Sequence, residues 1–144
     1  MASRREQVID ALVALIDAAL PAAKVERNAA KPERIPPGGL VIVRDGDPGE
    51  PEILLSPLTY LYAHRIPIEA AAREGAAQPR EPALDAMLAA IGAAVAANRT
   101  LGGLCDFLEV EAPATADIDA AGAQTARWAD AAIVASYGTP DPLN

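Results

Sequence analysis

The chain has 144 residues, 51% hydrophobic but only 3% aromatic, with 20 acidic against 12 basic side chains and a net charge of −8. That length suits one domain, and the acidic balance excludes a binder of nucleic-acid phosphates, which needs a Lys/Arg surface. The single cysteine, Cys105, excludes an intrachain disulfide and fits a reducing compartment.

Much of the apolar content is alanine, which buries little area per residue, so a thin core completed by neighbouring subunits is expected. Ser3 with Glu6 forms a capping box, and Val8, Leu12, Leu15, Ile16 and Ala19 share one face of a helix that Pro21 ends. Asp10 and Asp17 interrupt this stretch, so no signal peptide or membrane span is expected there. Lys24 to Asn28 reads as a short strand, and Pro32 to Gly39 as a turn-rich loop. Leu40 to Arg44 is a β-branched strand, and Asp45 to Pro51 a loop dense in turn residues. Glu52 to Ser56 is its return strand.

Thr59 to Glu69 alternates: Tyr60, Tyr62, His64, Ile66 and Ile68 on one face, Leu61, Ala63, Arg65 and Glu69 on the other. The loop at 45–51 is therefore expected at the tip of a hairpin arm, with Pro57 and Pro67 marking edge positions. Glu74 to Pro82 is a polar connection. A second helix runs from Pro82 or Ala83 to Asn98, its core stripe being Leu84, Met87, Leu88, Ile91 and Val95. Gly92 inside it is read as a point of close packing. Thr100 caps a short turn, and Gly102-Gly103 changes the period from helix to strand, with room for two backbones to approach. Phe107 to Glu111 is a strand stopped by Pro113, Ala114 to Ala126 a loop, and Arg127 to Tyr137 the last strand. The expected fold is a single α+β domain over residues 1–144. Its mixed or antiparallel sheet has about four to five strands and two main helices on one face, in the order α-β-β-β-α-β-β.

No catalytic constellation stands out. His64 and Cys105 are the only histidine and thiol, and their apolar or alternating surroundings fit packing better than a nucleophile pair. An acyl-transfer enzyme using them is the weaker alternative. One histidine and one cysteine make no zinc site without carboxylates. Asp45, Asp47 and Glu50 do not match the spacing of a calcium loop. No cofactor or metal is expected.

The helix Ala83-Leu84-Asp85-Ala86-Met87-Leu88 continuing to Ala97-Asn98-Arg99, the joint Thr100-Leu101-Gly102-Gly103-Leu104, the acidic strand Phe107-Leu108-Glu109-Val110-Glu111 and the ending Tyr137-Gly138-Thr139-Pro140-Asp141-Pro142-Leu143 carry a resemblance. With the order of the earlier elements, this chain resembles the tail terminator (tail-completion) proteins of long-tailed phages and phage-like gene transfer agents. The resemblance implies a structural protein, not an enzyme. It would form a ring, usually hexameric, on the head-proximal end of the tail tube, stop polymerisation and join the tail to the head connector. Implied partners are further copies of the chain, the tail tube protein and a connector or neck protein. DNA would pass the lumen without specific binding, and no membrane is involved. The implied location is the neck of a virion or phage-like particle, and host cytoplasm during assembly. Another tail tube or neck component is the alternative. Arg44, Asp45, Asp47 and Glu50 on the arm loop, with Glu109 and Glu111, are the expected interface residues.

Overall fold

A computed structural model describes residues 1–32, 34–75, 79–118 and 126–144. The first helix, α1, spans Arg4–Ala19, and the Ser3 hydroxyl accepts from the Glu6 amide at 3.2 Å as the capping pattern requires. The reciprocal half of the box does not form, because the Glu6 carboxylate is drawn to Arg27 instead. Val8, Ile9, Leu12 and Ile16 are buried and Leu15 half-buried. Ile9 lies beside the expected stripe, because the sheet and the second helix together cover a wider face than one apolar row.

Strands β1 (Lys24–Arg27), β2 (Leu40–Val43), β3 (Glu52–Leu55) and β4 (Leu58–Arg73) follow. The second helix, α2, spans Arg80–Ala97 and precedes β5 (Phe107–Ile118) and β6 (Ala126–Thr139). The sheet is mixed and six-stranded, ordered β1-β2-β4-β6-β5, with β3 also on β4. Only the β1–β2 pair is parallel. The α+β class, the single sheet and the two helices stand as expected; β1 raises the strand number above the expected four to five.

Both helices pack on one face. Leu84, Met87, Ile91 and Val95 of α2 meet α1 and the face of β4 and β6 that carries Ile66, Ile68, Ile133 and Ala135. A smaller cluster of Ile35, Leu40, Ile42, Ala71, Ala126 and Trp128 covers part of the other face, with the Lys31 ammonium 4.7 Å from the Trp128 ring centre. This double cover explains why all four residues of β2 are buried.

Several local readings change. Pro113 does not stop β5; the strand shifts register between Glu111 and Ala114 and continues, so the proline occupies a bulge. Of the loop expected at 114–126, residues 114–118 are strand and 119–125 lie outside the described residues. Thr100 makes no side-chain cap; the Asn98 side chain accepts from the Gly102 amide at 3.1 Å. Gly102 and Gly103 are needed for their positive φ of 69° and 98°, not for a close approach, since a Cβ at either meets nothing within 4 Å. Gly92 likewise has nothing within 4 Å of a Cβ, so close packing is not its role. Gly92→Ala is therefore expected to raise stability by about 0.5–1 kcal/mol, read from chemical denaturation.

Pro67 lies within the central strand β4, not on an outer edge. Its carbonyl accepts from the Arg44 amide, so its missing N–H falls on that same side, where the ladder to β2 has ended. The side of β4 facing β6 keeps its pairing throughout.

Candidate assembly interface

The long strand β4 outruns the helix layer. Its first residues, Leu58 to Leu61, pair with β3 through a tight Ser56-Pro57 turn, with Leu55 opposite Leu58 and Ile53 opposite Tyr60. Directly paired residues share a face, so Ile53, Leu55 and Leu58 extend the apolar face that carries Tyr62, His64 and Ile66. Beyond the helices no described residue buries it. Ile53 is 53%, Leu54 45%, Leu55 81% and Leu58 48% exposed, and all four residues of β3 are exposed. A hairpin end normally carries polar turn residues; here large aliphatics stand in their place.

The hairpin turn is thus at 56–57, which corrects the expected tip at 45–51. That loop packs back onto β4. Both β2 and β3 pair with the same side of β4, at 68–71 and 58–61, leaving a gap between them. The loop fills it: Asp47 bridges to Arg65, and Gly46, with φ 64°, lies so close that a Cβ would sit 2.1 Å from the Arg65 carbonyl oxygen.

The expected interface residues divide accordingly. Arg44 binds Glu69. Asp45 binds Arg27 at 2.7 Å, and its amide donates to the Asn28 side chain at 3.0 Å. Arg27 also holds Glu6 and Asp10, tying α1, β1 and the loop together. Its hydrogen bonds hold the Glu6 and Asp45 carboxyls below their usual range. Asp47 caps the Gly49 amide at 2.9 Å. Glu111 meets Arg65 at 2.9 Å, while Glu50 and Glu109 are exposed. Arg44 and Asp45 are engaged within the subunit, so their charges belong to the fold.

A second open surface is the outer edge of β5. Phe107 and Val110 are 45% and 40% exposed there, with the Arg99 guanidinium 4.9 Å from the Phe107 ring centre. The opposite outer strand, β1, reads Lys-Val-Glu-Arg and is blunted by charge.

His64 is fully buried on β4. Its Nε2 lies 2.6 Å from the Asp45 carbonyl oxygen, which only accepts, so Nε2 carries the proton. Its Nδ1 therefore accepts from the Tyr137 hydroxyl at 2.9 Å. Burial pushes the His64 pKa below its ordinary value, and pushes the Tyr137 hydroxyl up to about 12. Cys105 is buried, its thiol donates to the Arg99 carbonyl at 3.6 Å, and burial raises its pKa. Neither His64 nitrogen is engaged with Cys105, so the structure does not assemble the nucleophile pair. Among the described residues no group of three or more His, Cys, Asp or Glu side chains is placed to hold a metal, and no helix is long and apolar enough to cross a membrane.

The His64 site predicts a pH dependence. The unfolded chain takes up this proton near pH 6.5, the folded chain only at lower pH. Unfolding therefore binds protons as pH falls through this window, and stability drops with it. The Arg27-bound carboxylates act lower: their contribution starts to fade only below about pH 4.5. The melting temperature should fall between neutrality and about pH 5.5 in the native chain, and stay flat in His64→Gln over that interval.

Comparison with models of known protein families and with curated proteins finds no match to this chain.

Proposed function

We propose that this chain is a structural ring subunit of the tail-terminator type, closing the head-proximal end of a tail tube and joining it to the head connector. The observation that carries this reading is the projecting β3–β4 hairpin, whose Ile53, Leu54, Leu55 and Leu58 remain 45–81% exposed. Burying the remainder of these side chains would contribute on the order of 5 kcal/mol per contact. An arm on one side and an open β5 edge on another are different patches of the same subunit. A contact between unlike patches runs head to tail and closes into a ring when the rotation permits. The net charge of −8 supports a lumen that lets DNA pass without adhering. Copies of the chain, a tail tube protein and a connector are the partners on this reading.

Sedimentation velocity with negative-stain microscopy of the pure protein tests it. A single closed ring species, unchanged over a range of concentrations, is expected. Filaments that lengthen with concentration would instead indicate a tube-forming component, and a monomer at all concentrations would remove the assembly reading altogether.

A further inference from the structure

The face of the sheet turned away from the helices is only partly covered. The cluster around Trp128 closes it at the β2 end, where Leu40, Ile42 and Ala71 are buried. Farther along β4 the same face is open. The register sets Ala63 beside Ser136 of β6 and Phe107 of β5, and Arg65 beside Val134 and Glu109. Ala63 is exposed although it lies inside a strand, Ser136 and Val134 are half-buried, and Phe107 is 45% exposed. Alanine and serine are short, so Ala63 and Ser136 floor a shallow depression. Leu61 and Arg65 flank it along β4, with Leu61 leaning over Gly138, where a Cβ would meet its Cδ2 at 3.0 Å. Phe107 closes it at the β5 edge. Arg65 is held to Glu111 at 2.9 Å, so its charge is offset within the subunit.

The arm has the opposite relief and faces the opposite way. Ile53, Leu55, Leu58 and Tyr60 share the helix side of the sheet, with no charge among them, and Leu55 at 81% is the most exposed. Of the exposed large apolar side chains on β5, Val110 pairs with Ile133 and faces the same way as the arm, while Phe107 faces the other. One subunit thus carries an uncharged projection on one face and an open seat on the other. Two copies that each bear a net charge of −8 repel, so a contact between them favours surfaces free of unpaired charge at its centre. A projection and a seat that face opposite ways place copies in series, whereas contact between like patches ends at a dimer. A standard interface engages about 20–30 residues a side. The arm supplies the ten from Glu52 to Leu61, so each contact is small and gains its stability by repetition around a closed ring.

We propose that the arm of one copy seats on the open sheet face of the next, with Leu55 over the depression floored by Ala63 and Ser136 and Phe107 at its margin. The two sheets then stack face to face at the joint. This rests on the assembly reading and adds to it the surface that receives the arm.

Mixing two full-length variants tests it. Ala63→Arg blocks the seat and keeps the arm; the triple variant Ile53→Ser, Leu55→Ser, Leu58→Ser loses the arm and keeps the seat. Each alone should be a folded monomer by sedimentation and circular dichroism. Mixed one to one, they should form a heterodimer and nothing larger, because only one joint can be made. With the arm-deficient copy isotopically labelled, NMR should show saturable shifts at Ala63, Phe107 and Ser136 as the Ala63→Arg copy is added. In an otherwise native chain, Phe107→Ala should weaken assembly by about tenfold. Ala63→Arg that assembles like the native chain, or a mixture without shifts while the native chain assembles, overturns the seat and leaves the ring reading standing. A native chain that stays monomeric, with no shifts in the mixture, overturns both. If Ala63→Arg fails to fold, Phe107→Ala decides: undiminished assembly in that variant overturns the proposal.

Discussion

Replacing Ile53, Leu55 and Leu58 together with serine is expected to leave the subunit folded and to abolish its assembly. The three side chains lie on one face of the hairpin and are 53%, 81% and 48% exposed. They contribute little to the isolated fold, and each exposed substitution should change stability by no more than about 0.5 kcal/mol. In an assembled contact the same atoms would be removed from water. Losing most of the roughly 5 kcal/mol they offer weakens each contact on the order of a thousandfold. If the native chain forms the proposed ring, sedimentation velocity should show monomer in its place for the triple variant, with an unchanged far-ultraviolet circular dichroism spectrum. A triple variant that still forms rings would remove the arm from the interface.

Gly46→Ala is expected to damage the fold severely. The residue has φ 64°, and an added Cβ would meet the Arg65 carbonyl oxygen at 2.1 Å and Pro67 Cδ at 2.9 Å. Backbone must move, because neither contact is the end of a flexible side chain. Movement lifts the loop from the side of β4 it covers and pulls Asp45 from its contacts with Arg27 and His64. The expected cost is about 3 kcal/mol, or a melting temperature lower by roughly 10 °C. Gly49→Ala provides the control: φ is 73°, but nothing lies within 4 Å of its Cβ, so only conformational strain of about 1 kcal/mol applies. Equal losses in both variants would contradict the packed-loop reading.

What the chain discloses locally, it discloses well. The α1 stripe, the α2 stripe and the alternation of Tyr62, His64 and Ile66 each depend on a period within one element, and burial follows them. Pairing is not local. Leu40–Val43 and Glu52–Leu55 are neighbours in sequence and look like two arms of one hairpin, yet both pair with β4. Nothing between Arg44 and Pro51 encodes that shared partner, so the loop that fills the gap looks like a tip. Arg27 shows the same limit: its partners Glu6, Asp10 and Asp45 come from a helix and a loop that only the tertiary fold brings to β1. The apolar arm did leave a signal. Ile-Leu-Leu directly before Ser56-Pro57, with Leu58 directly after, places aliphatic residues where a hairpin turn ordinarily has polar ones. The expected polar interface drew attention to Arg44 and Asp45, whose charges the fold itself uses.

Amide hydrogen exchange at β3, compared between concentrated and dilute protein, tests the arm's role most directly. Glu52 to Leu55 pair on one side only, with β4, and are exposed in the isolated subunit. If the arm is the contact between copies, their outward amides should exchange quickly in dilute solution and become protected on assembly, in step with the change in sedimentation. The Gly92 region of α2 should exchange equally in both. Assembly without any added protection at Glu52–Leu55 would contradict the account.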